Sequence, residues 1–93
     1  MYFHFSVMAY DRINKHFCGL PQFYGRSLSF SMSSTTISGA KLECNRNPKC
    51  SMFYDQDGKG KKFKYCGSNA IIAKDNHPTE GLGLYTKING KTI

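Results

Sequence analysis

Four cysteines in a chain of 93 residues are the feature that most constrains what this sequence can fold into. A domain of this size buries only about 60–65% of the surface that its unfolded chain exposes, so its core is thin and cross-links add a large share of the stability. Cysteines spaced among strands and loops are typical of an oxidising compartment. The sequence therefore predicts a disulfide-stapled domain, held by Cys18, Cys44, Cys50 and Cys66.

The composition supports one hydrophobic core and excludes several classes of protein. Hydrophobic residues make up 40% of the chain and include seven Phe and six Tyr, which excludes a disordered chain. The length excludes Rossmann domains, barrels and multi-domain machines. His4, His16 and His77 are scattered outside any nucleophile motif, so we expect no catalysis and no cofactor. The sequence has no apolar run of about eighteen residues, so we expect no membrane span.

Local patterns predict one short helix among several short strands. Residues 35–38 offer N-cap chemistry, and Ile37, Ala40 and Cys44 then fall on one helical face that ends at Asn47-Pro48. This mixture predicts an α+β fold in a single domain over residues 1–93, with its core at about 26–88 and an N-terminal strand and loop at 1–25. The predicted strands cover residues 1–10, 27–33, 50–54, 63–66, 70–73 and 82–88, with an irregular loop at 11–25 and a hairpin connection at 55–62.

Two of these strands, at residues 27–33 and 1–10, are predicted from the alternation of apolar and polar residues. In residues 27–33, Leu28, Phe30 and Met32 face one way and four serines face the other, which predicts a half-buried strand. A serine face that binds a ligand is the alternative. The apolar stretch 1–10 alternates in the same way, and together with the serine strand it offers a sheet edge for self-association.

The four cysteines allow three pairings. The turn at Asn47-Pro48 doubles the chain back between Cys44 and Cys50, so their Cα atoms can come within the roughly 4.4–6.8 Å that a disulfide needs. Cys18 and Cys66 would then close a loop of about 48 residues, a bond worth roughly 4 kcal/mol in the chain-entropy model. A zinc site and free buried thiols are the alternatives, although zinc modules prefer closer cysteine pairs and no nearby histidine completes a set.

The segment from the helix to the last strand carries a family pattern. Asn47-Pro48-Lys49-Cys50-Ser51-Met52-Phe53 follows a helix that holds Cys44, a hairpin leads to Cys66, and the chain closes on Leu84-Tyr85-Thr86-Lys87. This arrangement resembles the PAN/Apple family, in which a helix with cysteines precedes Asn-Pro-x-Cys-x-x-Phe, a strand that ends in cysteine, and Leu-Tyr-x-Lys. The resemblance covers residues 26–88.

The resemblance implies a fold, a setting and a set of disulfides. It implies a five-stranded antiparallel sheet that cradles one helix, in a secreted module that binds protein or carbohydrate. The second helix cysteine of the family matches Cys44, and its partner matches Cys50. Ala40 stands where the family has its first helix cysteine, which pairs with the cysteine of the later strand. Cys66 is thereby left without its family partner, and Cys18 is the only thiol that remains for it.

A basic hairpin is the best candidate for a functional site. The formal net charge of +7 at pH 7 favours acidic partners. Lysines on a hairpin can gather anionic ligands, and aromatic faces can stack on sugars or bases. The alternative is that the lysines alternate with core aromatics and remain solvated, partly balanced by Asp55 and Asp57. The candidate residues are Lys59, Lys61, Lys62, Lys64, Phe63 and Tyr65.

The beginning of the same hairpin looks like a calcium loop, because Asp55 and Asp57 precede a glycine at the sixth position, Gly60. Lys59 at the fifth position and Cys66 at the twelfth, where a bidentate glutamate is needed, do not fit this motif. We therefore expect a hairpin tip and no metal.

Together these patterns favour a secreted, non-enzymatic adhesion or recognition module. Its partner would be an extracellular protein or glycan, anionic by charge complementarity, or further copies of the chain in an extracellular assembly. The alternative is a small intracellular basic protein that binds nucleic acid and keeps its cysteines reduced. The sequence has no recognised nucleic-acid motif, and its diffuse positive charge suits anionic glycans better than base-specific readout.

Overall fold

The computed structural model describes residues 8–19, 29–76 and 80–92 of the chain. These residues form a small α+β domain with antiparallel sheets, one helix and two disulfides. The predicted fold class is confirmed at this level, and the part of the first predicted strand at residues 1–7 lies outside the described residues. The elements are β1 (Met8–Asn14), β2 (His16–Gly19), β3 (Phe30–Ser31), α1 (Ile37–Arg46), β4 (Met52–Asp55), β5 (Phe63–Cys66), β6 (Ile71–Lys74) and β7 (Gly83–Thr92).

Five strands form one antiparallel sheet in the order β1-β7-β4-β5-β3, and β2 pairs with β6 in a second antiparallel sheet. Because directly opposed residues point to the same side of a sheet, the register defines rows of side chains. One row crosses the whole five-stranded sheet, and its members in order are Arg12, Tyr85, Phe53, Tyr65 and Phe30.

Helix α1 begins and ends where the local signals predict. The Thr36 side chain accepts a hydrogen bond from the backbone N–H of Gly39 at 3.0 Å, and the helix ends at Arg46 before the Asn-Pro turn. The Lys87 ammonium donates to the Cys44 carbonyl oxygen at 2.8 Å and so satisfies one of the carbonyl groups at the helix end. The helix has ten residues, too few to be stable alone, so its buried face must dock on the sheet.

The helix covers an aromatic core on one face of the five-stranded sheet. Phe53 lies fully buried at its centre, with its ring centroid 4.9 Å from the stacked ring of Tyr85, 5.5 Å from Tyr10 and 5.8 Å from Phe63. Aromatic pairs at these separations stabilise a core beyond the burial of their area. The buried members of this core are Ala40, Cys44, Cys50, Phe53, Phe63 and Tyr85.

A second core lies on the opposite face of the same sheet, where β2 packs against β4 and β7. The Phe17 ring centroid lies 5.9 Å from that of Tyr54, and Leu84 is fully buried. The domain therefore has a helix on one face of its main sheet and a two-stranded sheet on the other. The buried members of the second core are Cys18, Met52, Cys66 and Leu84.

Each disulfide belongs to one of the two cores. Cys44–Cys50 joins the end of α1 to the segment that leads into β4, with Cα atoms 5.2 Å apart. Cys18–Cys66 joins β2 to the end of β5, with Cα atoms 6.3 Å apart. Both pairings expected from the sequence and the resemblance are confirmed, and none of the cysteines in the structure is free.

The prediction of an irregular loop over residues 11–25 is wrong for the part that the structure describes. β1 continues to Asn14, and β2 follows after a turn in which Lys15 adopts a positive φ of 59°. Asp11, Arg12 and Asn14 are exposed, so their polarity is compatible with an edge strand paired to β7. Pairing with strands distant in sequence outweighs the local turn-like composition.

The serine strand is shorter than its alternation predicts. In the described part of residues 27–33, only Phe30 and Ser31 form a strand. Phe30 was expected to face the core, yet its side chain is 52% exposed, because β3 is the last strand in the sheet order and α1 does not bury its outer side. Ser31 is exposed as well, and Leu28 lies outside the described residues.

Candidate functional site

The predicted basic hairpin joins β4 to β5, and its loop is held by backbone hydrogen bonds. The Gln56 N–H donates to the Lys62 carbonyl oxygen at 2.8 Å and closes the ladder at the base of the loop. Within the loop, the Asp55 Oδ2 accepts from the Gly60 N–H at 2.8 Å, and the Asp57 Oδ1 accepts from the Lys59 N–H at 3.0 Å. Aspartates that hydrogen-bond nearby N–H groups are the usual means of fixing a tight turn.

The tip of this loop rests against the turn that precedes β7. Gly58 and Gly81 have positive φ angles of 71° and 84°. A Cβ atom on Gly58 would lie 1.9 Å from the Glu80 carbonyl oxygen, and one on Gly81 would lie 2.1 Å from the Gly58 carbonyl oxygen. The Arg12 guanidinium donates to the Gly81 carbonyl oxygen at 3.1 Å. The backbone of the loop at Gly58 therefore packs directly against the backbone of the turn at Glu80 and Gly81. We call a loop held by such a contact a seated loop.

Four lysines of this hairpin, which we call the lysine hairpin, carry unneutralised charge. Lys59, Lys61 and Lys62 are exposed, and Lys64 on β5 is half-buried. Within residues 8–19, 29–76 and 80–88, no ion pair or hydrogen bond engages any of the four ammonium groups. Several unpaired ammonium groups on one hairpin attract anions through the positive potential to which they all contribute.

The two acidic residues of the hairpin differ in charge state. Asp55 is only 4% exposed, and its Oδ1 has no hydrogen-bond partner among the described residues. Burial, and then the neighbouring Asp57 carboxylate, raises the pKa of Asp55 to about 6. The Lys59 backbone N–H lowers the pKa of Asp57, which therefore stays ionised. In mildly acidic solution Asp55 becomes protonated, and the hairpin then loses one of the two negative charges that oppose its lysines.

The structure places the two aromatic residues of the predicted site on the helix side of the sheet. Phe63 is 2% exposed and belongs to the helix-side core, so the prediction that its ring contacts a ligand is wrong. Tyr65 is half-buried in the same core, with its ring centroid 5.3 Å from that of Phe30. Alternation along β5 explains this outcome, because Phe63 and Tyr65 share the helix side of the sheet and Lys64 points to the other.

A second surface feature, which the sequence did not indicate, lies at the opposite end of β5. It is an open groove of about 360 Å³ between the end of the sheet and two short turns. Its lining comes from three separate segments of the chain, so no local period or spacing marks it. We call it the β3 groove, and its lining residues are Phe30, Pro48, Lys49, Ser51, Gly67, Ser68 and Asn69.

No metal centre is evident in the part of the chain that the structure describes, since it has no group of three or more His, Cys, Asp and Glu side chains placed to hold an ion. In the hairpin, Asp55 and Asp57 each use one carboxylate oxygen to accept a hydrogen bond from a backbone N–H group. Across the same ranges, no helix has the length and apolar character needed to cross a bilayer.

Comparison with known proteins finds no match for this chain among protein-family models, curated proteins or solved structures. The lysine hairpin, the β3 groove and the two disulfides are therefore the features of this chain on which a function can be proposed.

Proposed function

We propose that this chain is a secreted, non-enzymatic recognition module of PAN/Apple type that binds a polyanionic extracellular partner through its lysine hairpin. Three features support the PAN/Apple type: the segment Asn47–Phe53, a five-stranded antiparallel sheet with one helix on it, and the Cys44–Cys50 bond at the end of that helix. The bond from Cys66 to Cys18 replaces the family's second bond to the helix.

The observation that carries the binding proposal is the set of unpaired ammonium groups on a seated loop. Lys59, Lys61 and Lys62 are exposed and have no anionic partner in the described part of the chain. Lysine ammonium groups are compact point charges, without the planar fork that arginine uses to read bases or to bind carboxylates in a bidentate way. The hairpin therefore suits dense negative charge, such as glycan sulfates or an acidic protein surface, better than a specific base sequence.

The extracellular setting is supported by the cross-links. Two disulfides in a domain of this size are compatible with an oxidising compartment and are rare in the cytosol. Both bonds lie at the end of β4 and β5 away from the hairpin, where Met52 pairs with Cys66. The hairpin itself is ordered by the hydrogen bonds that Asp55 and Asp57 accept from its N–H groups, so a ligand pays little free energy to order it. An intracellular nucleic-acid binder would need all four thiols reduced, so the thiol state of freshly isolated protein separates the two functions.

Retention on immobilised heparin, in a gradient of sodium chloride, tests the proposal. The double substitution Lys61→Glu plus Lys62→Glu should lower the salt concentration at elution sharply, because it replaces two attractive charges with two repulsive ones in the loop. The matched control is Arg46→Glu plus Lys74→Glu, which makes the same change of net charge at exposed positions outside the hairpin. Equal losses in the two variants would show that diffuse charge alone binds heparin, and would reject the hairpin as the site.

A second candidate function, packing as a subunit of an extracellular assembly, is favoured by one observation. Ile71 and Ile72 on β6 are 43% and 45% exposed in the two-stranded sheet, and an exposed apolar strand is a surface for pairing with another copy. Light scattering over a range of protein concentrations tests this function. A particle that stays monomeric at every concentration would remove it.

A further inference from the structure

The β3 groove has the size and position of a small-ligand site. Its volume of about 360 Å³ falls within the roughly 300–1,000 Å³ typical of ligand pockets. Phe30 on β3 forms one side, the turn at Pro48 and Lys49 forms a second, and the loop after Cys66 closes the third. The lysine hairpin lies at the other end of β5, so the two sites do not share residues.

An exposed aromatic ring dominates the apolar part of the groove. Phe30 is 52% exposed, although a large apolar side chain normally buries most of its surface. Its ring packs at 37° against Tyr65, with a centroid distance of 5.3 Å, and this contact holds the ring in place at the edge of the sheet. Pro48 adds a second apolar surface that has no rotatable side chain. A flat ligand with an apolar face can therefore lie against Phe30 without a large loss of side-chain entropy.

Four polar side chains line the same groove as this ring. Within the three described ranges, the Ser51 and Ser68 hydroxyls, the Asn69 amide and the Lys49 ammonium form no hydrogen bond or ion pair with protein. Together they offer donors and acceptors around an apolar floor. An aromatic surface with a few polar groups in the same lining is the combination by which pockets orient a ligand.

The backbone of the groove is fixed before any ligand arrives. The Ser51 N–H donates to the Cys66 carbonyl oxygen at 2.9 Å, and the Ser51 carbonyl oxygen accepts from the Lys87 N–H at 3.0 Å. Disulfides anchor the chain immediately before Ser51, at Cys50, and immediately before the loop, at Cys66. The polar groups are thus presented from rigid positions, which lowers the entropic cost of binding.

We propose that the β3 groove binds a single pyranose sugar ring, with a preference for one that carries a carboxylate. A pyranose has an apolar C–H face that can lie on Phe30, and hydroxyl groups at its rim that can exchange hydrogen bonds with Ser51, Ser68 and Asn69. Lys49 is the one cationic residue of the lining and would pair with the carboxylate. This inference deepens the proposed recognition function, on which it rests for the extracellular setting.

Nuclear magnetic resonance titration of ¹⁵N-labelled protein tests the site, with the methyl glycosides of glucose, galactose, N-acetylglucosamine and glucuronic acid as probes. The backbone amides of Gly67, Ser68 and Asn69 should shift in a saturable way with at least the glucuronide. Phe30→Ala should abolish these shifts, whereas Leu42→Ala, which truncates a side chain of almost equal exposure at 53% on α1, should leave them unchanged.

A second substitution tests the preference for acid. Lys49→Gln should weaken binding of the methyl glucuronide roughly two- to fivefold, the usual range for an exposed ion pair, and should not affect the neutral glycosides. Absence of saturable shifts at these amides with all four probes would overturn the proposal, as would equal shifts in the Phe30→Ala protein.

The two sites can fail separately. In the Lys61→Glu plus Lys62→Glu protein, glucuronide shifts at Ser68 and Asn69 should persist while retention on heparin falls. Loss of the groove shifts in wild-type protein that still binds heparin would reject the groove alone. A third outcome is that the wild-type protein shows the groove shifts but its retention on heparin does not depend on the hairpin lysines. This outcome would support the groove and reject the lysine hairpin.

Discussion

Gly58 at the tip of the lysine hairpin and Gly81 in the turn before β7 touch backbone to backbone. Each has a positive φ, and a Cβ on either one would lie about 2 Å from a carbonyl oxygen, at 1.9 Å for Gly58 and 2.1 Å for Gly81. Gly58 and Gly81 are 23 positions apart in sequence, and their contact fixes the position of the loop that carries the lysines. A ligand site on a loop depends on such a contact, because loops without one move freely.

Gly58→Ala should destabilise the protein more than Gly60→Ala. Both glycines have positive φ, at 71° and 74°, so an alanine at either position costs roughly 1–2 kcal/mol of backbone strain. Gly60 has open space around its missing Cβ, whereas at Gly58 the new methyl group meets the Glu80 carbonyl oxygen. Urea unfolding of both variants measures the difference, and equal losses would show that the contact between the two turns does not matter.

Asp55→Asn should stabilise the protein at neutral pH and flatten the dependence of its stability on pH. The pKa of Asp55 is raised from 3.8 to about 6, so the folded state binds the proton more tightly than the unfolded state. Protonated Asp55 therefore adds to the free energy of unfolding. This contribution is fully present below pH 3.8 and is lost as pH rises through about 6, a change on the order of 2 kcal/mol. Unfolding midpoints between pH 4 and pH 7 measure it, and an Asn variant less stable than wild type at pH 7 would refute this account.

Glu43→Ala should detach the segment before the helix from α1. The Glu43 carboxylate accepts from the Ser34 hydroxyl at 2.6 Å and the Ser34 N–H at 3.1 Å, and also from Ser33, and these bonds lower the pKa of Glu43. Their loss should cost about 1–2 kcal/mol at neutral pH. Because the pKa is lowered in the folded state, this contribution is present above pH 4.5 and disappears as pH falls below it. Glu80→Ala, at an exposed glutamate, is the control and should have little effect.

The two disulfides should differ in what their removal costs. The chain-entropy model assigns roughly 4 kcal/mol to Cys18–Cys66, whose cysteines are 48 positions apart, and roughly 2 kcal/mol to Cys44–Cys50, which are 6 apart. The paired variants Cys18→Ala plus Cys66→Ala and Cys44→Ala plus Cys50→Ala should follow this order in chemical denaturation. The reverse order would show that the Cys44–Cys50 bond stabilises the protein by more than its restriction of the unfolded chain.

Short sequence patterns predict helix α1 and the hairpin between β4 and β5, because neighbouring residues determine both elements. Helix α1 was predicted from its threonine cap and its Asn-Pro end, and Thr36 does cap it. The hairpin between β4 and β5 was predicted from its polar, glycine-bearing connection. These features depend on residues a few positions apart, so the sequence expresses them directly.

Features that depend on distant pairing were missed. β1 and β2 carry polar residues and form because β7 and β6 pair with them, which no local pattern of residues 11–19 reveals. Phe30 was predicted to be buried from its alternation, but its strand lies at the end of the sheet order. The surrounding lysines predict a ligand contact for Phe63, whereas alternation along β5 places its side chain in the core. The β3 groove combines three segments that only the fold brings together.

Mapping of a heparin hexasaccharide onto the ¹⁵N-labelled protein by chemical-shift perturbation tests whether the lysine hairpin is the anion site. We expect the largest shifts to fall on the backbone amides of residues 59–64, to weaken as sodium chloride is added, and to vanish in the Lys61→Glu plus Lys62→Glu protein. Shifts spread over the whole surface, or centred on lysines outside the lysine hairpin, would contradict this site.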